Sequence, residues 1–188
     1  MVEVRAGEIS RPRVQWMLRA ATLLVTAIVL ALSVGWSWLL VGFVAVAVAT
    51  WPLVGTDISE HRLPNKIVLP CYPAAVVGLA LHSITTGASP VLAIVSSLGC
   101  IVVFTLMHVL GGMGMGDVKL VGVLGLLLGS LGLTALTVGL ASAFLLGAVA
   151  GAWAMATQRR GATHRIPFGP FLLVGFWLGV LAPVLRHG

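Results

Sequence analysis

The sequence predicts an all-α fold, a transmembrane bundle of six to seven helices. Two observations carry this. Apolar residues make up 59% of the 188 and charged residues 9%, and mean hydropathy is +1.10, far from a soluble globular composition. The apolar residues also gather in runs of about 20, enough for a helix to cross the roughly 30 Å hydrocarbon core.

Seven such runs follow one another at 16–34, 36–54, 67–86, 90–110, 118–132, 133–156 and 168–185. A polar tail over 1–15 precedes the first, and 16–188 reads as a single membrane-embedded domain. Basic residues up to Arg19, the apolar stretch 20–32 and small residues near Ser33 also resemble a signal peptide. No hydrophilic mature start follows, which favours a retained span. Pro64-Asn65 marks the start of the third span, with Asn65 a candidate cap. The fifth run is short and merges with the sixth through Gly129, Ser130 and Gly132. Gly139, Ala143, Gly147 and Gly151 recur along the sixth, and Gly122, Gly125 and Gly129 along the fifth, a small-residue pattern that lets helices approach closely in lipid.

Charge orients the bundle. With the N-terminus in the cytoplasm, Arg5, Arg11, Arg13, Arg19, Arg62, Lys66, Lys119, Arg159, Arg160 and Arg165 all fall on that side, and only Arg186 falls outside. Ten of eleven cations thus obey the positive-inside rule, which accounts for the net charge of +6 without nucleic acid. Arg62 and Lys66 read as snorkelling topology residues.

Acids are scarce. Asp57 and Asp117 are the only aspartates, and beyond the N-terminal tail Glu60 is the only other carboxylate. A carboxylate at the rim of a bilayer is costly and usually functional. Asp57 follows the second run, Asp117 precedes the fifth, and two crossings between them return the chain to one face. Gly111-Gly112-Met113-Gly114-Met115-Gly116 leads into Asp117. So many glycines disfavour a helix interior and suit a bend with close backbone approach. Asp117 is expected at or near the N-cap of the fifth helix. Glu60 reads as a solvated loop charge, and Met113 and Met115 as apolar lining.

Gly114-Met115-Gly116-Asp117 resembles the Gly-x-Gly-Asp signature of membrane aspartyl proteases, and its continuation Val118-Lys119-Leu120 resembles the type IV prepilin peptidase branch. Thr56-Asp57-Ile58 followed by Arg62-Leu63-Pro64-Asn65 resembles that family's first aspartate segment. Ile166-Pro167-Phe168-Gly169-Pro170-Phe171 resembles the segment opening its last span. The resemblance implies a membrane aspartic endopeptidase, without cofactor, that removes leaders from pilin, pseudopilin or Flp-type precursors at the cytoplasmic face of the inner membrane. Asp57 and Asp117 are its expected catalytic pair. Gly114, Gly116 and Lys119 are the expected substrate-approach or supporting loop, although Lys119 also fits a snorkelling lysine. Longer relatives carry paired Cys-x-x-Cys motifs resembling a zinc site. Here only Cys71 and Cys100 occur, in separate spans at offsets of about 6 and 16 Å. Free thiols and a peptidase-only member are therefore expected.

Helix dipoles bear on the protons. Asp117 at a helix N-terminus favours the anion and Asp57 beyond a C-terminus the neutral acid, so Asp57 is expected to hold a shared proton. One rival is a divalent-metal transporter or metalloprotease using Asp57, Asp117, His61, His108 and His164. No His-Glu-x-x-His spacing supports it, and His82 and His187 fall on the far side. Another is a non-catalytic scaffold, indifferent to both aspartates. Gly129-Ser130 does not match a rhomboid-type serine site. The sequence does not specify oligomeric state.

Overall fold

The computed structural model describes residues 25–60, 62–111, 113–157 and 167–187. The tail 1–15, the starts of the first run and of the signal-like segment, and His61, Gly112, Arg159, Arg160, His164, Arg165 and Ile166 lie outside the described residues. Among those described there are helices and no strands. A first helix, α1, covers 25–33. It is followed by α2 (Leu40–Glu60), α3 (Asn65–Thr86), α4 (Val91–Val109), α5 (Met115–Leu131), α6 (Leu133–Thr157) and α7 (Gly169–His187). Each apolar run became a helix, the first over its described part. The blurred fifth and sixth runs separate at Gly132 alone, whose φ of 113° suits glycine.

Among the described residues, four helices are long and apolar enough to cross a membrane: Leu40–Glu60, Asn65–Thr86, Val91–Val109 and Leu133–Ala156. Their outward faces carry Val44, Val48, Leu69, Val76, Ile94, Val102, Leu145 and Val149, all exposed. A continuous apolar surface of this kind is stable against lipid and not against water.

Helices α2 and α3, α4 and α5, and α6 and α7 pack as neighbouring pairs, and α5 joins them by also touching α3, α6 and α7. From Asp117 to Gly129 nearly every residue of α5 is buried. A helix apolar all round sits inside a bundle. Its glycines make this possible. A Cβ at Gly129 would stand 2.7 Å from Ser96 Cβ and 2.9 Å from Ala93 Cα on α4, and one at Gly125 would meet Cys100 Sγ at 3.0 Å. On α6, Gly139 and Ala143 face Gly175 and Gly179 of α7 in the same way. Phe43 of α2 stacks on Phe176 of α7 with ring centroids 5.8 Å apart, tying these two helices together.

Helix α2 outlasts its apolar run. The run ends at Val54, yet the helix continues to Glu60 through a polar turn. Thr56 donates to the carbonyl of Pro52 and Ser59 to that of Gly55, both at 2.9 Å. Hydroxyls that bond back onto the helix can extend it beyond its apolar segment. Asp57 therefore stands in the last helical turns, not in a loop after them, which corrects the expectation from the sequence.

Candidate functional site

The site lies where the C-terminal end of α2 meets the N-terminal ends of α3, α5 and α7. Asp57 is 5% exposed and Asp117 8%. Asp117 precedes the apolar run beginning at Val118, and Asp57 follows the run ending at Val54, so both carboxylates stand beyond the apolar segments.

Leu63 connects the two aspartate segments. It is buried in the turn between α2 and α3. A Cβ at Gly116 would stand 2.8 Å from Leu63 Cβ, and one at Gly169 would stand 3.3 Å from Leu63 Cδ2. Gly116 thus lets the first turn of α5 close on one side of Leu63, and Gly169 lets the first turn of α7 close on the other. Asp57 completes the arrangement. Its Oδ2 accepts the Gly169 N–H at 2.9 Å, and a Cβ at Gly169 would stand 2.6 Å from that oxygen.

Asp117 occupies the third position of α5, not the N-cap. Gly114 is the cap, in extended conformation, and its N–H donates to Asp117 Oδ2 at 3.3 Å. A carboxylate reaching back to the cap amide satisfies a donor the helix leaves open. Asp117 Oδ1 is buried and, among the described residues, has no hydrogen-bond partner. Burial first, then the charge of Asp57, push the Asp117 carboxyl up from its ordinary 3.8 to about 6, while the Gly114 N–H pulls the other way. Two acids brought together in this way resist simultaneous ionisation.

The supporting residues fall around this pair. Gly114 is exposed and Gly116 half-buried. Lys119 does more than snorkel: its Nζ donates to Asn65 Oδ1 at 3.1 Å, and the Tyr72 hydroxyl donates to its carbonyl at 2.8 Å. Both contacts fix the first turn of α5 to α3. Asn65 is the first residue of α3 after an N-cap at Pro64 that makes no side-chain cap bond, so the capping expected of Asn65 is not found. Its side chain meets Lys119 instead. Glu60, Arg62 and Lys66 are exposed. Met115 is exposed, and Met113 is partly buried against the core.

Of the histidines proposed for a metal, His108 Nδ1 is 2.8 Å from the carbonyl of Met113, and His61 and His164 lie outside the described residues. Among the described residues no three of His, Cys, Asp or Glu converge. Cys71 and Cys100 are buried free thiols, as expected.

Sequence reasoning missed Leu63, Tyr72 and the Gly169 amide. The last left a signal in Phe168-Gly169-Pro170, a bulky residue, a space-saving one and a helix starter in succession. Phe168 packs against Phe144 with centroids 5.5 Å apart. Gly147 of α6 leaves room for its ring, since a Cβ there would stand 2.6 Å away.

Comparison with known proteins bears on this arrangement. The chain is similar to the prepilin leader peptidase/N-methyltransferase of Aeromonas hydrophila, 29% identical over 168 residues covering 85% of this chain and 54% of the relative. The protein of that name from Xanthomonas campestris pv. campestris is 32% identical over 165 residues, 82% of this chain and 55% of the relative. The chain thus spans about half the length of the curated relatives it matches. No solved structure gives a significant match. The model of the type IV leader peptidase family matches residues 45–154, which include both aspartates and the turn between α2 and α3. With that match running over more than half its length, the chain belongs to the type IV leader peptidase family.

Proposed function

We propose that the chain is a membrane aspartic endopeptidase that removes the leader of prepilin-like precursors, with Asp57 and Asp117 as its catalytic pair. The observation that carries this reading is the meeting of the chain's only two aspartates, both buried, in segments that close on Leu63, with the Asp117 carboxyl raised by burial and by the charge of Asp57. The names of the relatives supply the substrate class.

The chemistry needs one proton shared by two carboxyl groups. Water oxygen bonds to the scissile carbonyl carbon, giving a proton to the ionised aspartate while the neutral one protonates the carbonyl oxygen. The C–N bond then breaks. The leaving nitrogen takes the proton just received, and the gem-diol returns one to the other carboxylate. One water is consumed and the pair regains its starting state.

Location follows from charge. Arg62, Lys66 and Lys119 stand at the aspartate end, and the sequence between α6 and α7 holds Arg159, Arg160 and Arg165. The connections 34–39 and 87–90 at the opposite end carry no Lys or Arg. This bias supports an active site facing the cytoplasm from the inner membrane, in a single domain over 16–188 with a cytoplasmic tail over 1–15. Gly114 leaves backbone accessible to an extended peptide beside Asp117, Gly116 lets this segment close on Leu63, and Lys119 holds it to α3.

The test is reconstitution of the purified protein with a prepilin and with pilins lacking a leader. Cleavage at the leader boundary that survives chelator is the expected result. Cleavage lost on chelation and restored by zinc refutes the metal-free mechanism.

A further inference from the structure

Helix α7 begins with one backbone donor directed outside the helix. Phe168 is the last residue before the helix, and its carbonyl accepts the N–H groups of both Phe171 and Leu172 at 3.1 Å. Pro170 has no N–H. Among the first three helical positions, Gly169 alone keeps an amide free to act outside the helix, and that amide meets Asp57 Oδ2 at 2.9 Å in a buried setting. A helix N-terminus favours an anion, and an amide donating to a carboxylate is a charge-assisted bond.

The two aspartates are unequally served. Asp117 receives its cap amide at 3.3 Å and leaves Oδ1 buried without a partner among the described residues. Asp57 receives the shorter bond, aimed from a second helix. We propose that Gly169 is a positioning residue that holds Asp57 as the ionised member of the pair, so that Asp57 takes the proton of the attacking water and Asp117 protonates the scissile carbonyl. This reverses the assignment expected from the helix dipoles of α2 and α5 alone, because the amide of α7 outweighs the C-terminal end of α2. The assignment of chemical roles rests on the peptidase reading; the ionisation of Asp57 does not.

Among the described residues, the charged and titratable groups of the segments neighbouring Asp57 are these. Asp117 acts on it from α5. On its own helix Glu60 is exposed, as is Arg62 in the following turn. The Lys119 ammonium bonds to Asn65, the His108 ring bonds to Met113, and Phe168-Gly169-Pro170 at the start of α7 is uncharged.

Having only two aspartates makes the test clean. Protein grown with carboxyl-13C aspartate carries one labelled side chain in Asp117→Asn and one in Asp57→Asn, each titratable by infrared spectroscopy in nanodiscs without substrate. Asp57 is expected to titrate below Asp117. Adding Gly169→Ala to Asp117→Asn should raise the Asp57 midpoint by about one to two pH units, the scale of a hydrogen bond to a charged group. The same change in Asp57→Asn should leave the Asp117 midpoint in place, which a general loosening of the fold would not. The activity profile of Gly169→Ala should show its acid limb moved upward, with kcat falling more than KM changes.

A probe that keeps Gly169 guards against misfolding of that variant. Phe168-Gly169 is the chain's only Phe-Gly pair, so 13C-Phe/15N-Gly labelling gives a single amide signal. It should shift with the Asp57 titration in Asp117→Asn. Asp57 titrating above Asp117, an unmoved midpoint in Gly169→Ala, or a Gly169 amide indifferent to pH would overturn the proposal. Failure of the wild type to cleave a prepilin would sink the peptidase reading and leave these titrations standing.

Discussion

Replacing Asp117 by asparagine should make the folded protein more stable at neutral pH, although it removes a buried polar contact. The folded carboxyl stands at about 6 against an ordinary 3.8, so the fold prefers the protonated acid. Below about pH 4 the group is neutral in both states and costs nothing. Above about pH 6 the anion is present in both, and the fold bears the full difference. About two units at 1.36 kcal/mol each give about 3 kcal/mol. Asparagine keeps the shape without the charge. The Gly114 bond to the anion is already contained in that net shift. Asp117→Asn should therefore gain on the order of 2–3 kcal/mol over wild type at pH 7.5, and the advantage should vanish by about pH 4. The assay is denaturant unfolding in mild detergent at the two pH values. In an Asp57→Asn background the gain should shrink, because part of the strain is repulsion between the carboxylates. A stability difference that ignores pH, or a destabilised variant at pH 7.5, would refute this account of the buried acid.

Other expectations are direct. For wild type, kcat/KM should decline on the alkaline side with a midpoint near pH 6, as Asp117 in the free enzyme loses the proton it must donate. Single cysteines placed at Gly87 and Thr163 in a Cys71→Ala/Cys100→Ala background should be labelled from opposite sides of the membrane, and labelling from one side would remove the argument for a cytoplasmic site. Gly129→Ala should lose about 1–3 kcal/mol by overpacking α5 against Ser96 and Ala93. Gly99→Ala, with open space around it, should be neutral or slightly stabilising; equal effects at the two positions would contradict the packing of α4 on α5.

The seven apolar runs were legible because a membrane helix must satisfy its backbone within itself, so length and hydropathy fix its existence. The placement of Asp57 and Asp117 on one face was legible too, from an even number of crossings and two motifs. What escaped was set by tertiary contact. Nothing in the composition marks α5 as the central helix, since Gly122, Gly125 and Gly129 become informative only when α4 lies against them. The extension of α2 through Asp57 was hidden because Thr56 and Ser59 look like loop residues until their hydroxyls turn back on the helix. Gly169 was hidden more deeply: its contribution is a backbone amide, which every residue but proline has, and only the fold aims it at Asp57. Asn65 read as a cap because its partner, Lys119, lies 54 positions away.

The central claim is that two aspartates from distant segments act as one catalytic unit. The most direct measurement is prepilin cleavage by wild type, Asp57→Asn, Asp117→Asn and the double variant, each confirmed as inserted and folded. The account predicts cleavage by wild type and a loss in each single variant nearly as complete as in the double, since neither carboxyl replaces the other. A single variant that cleaves at close to the wild-type rate would contradict it.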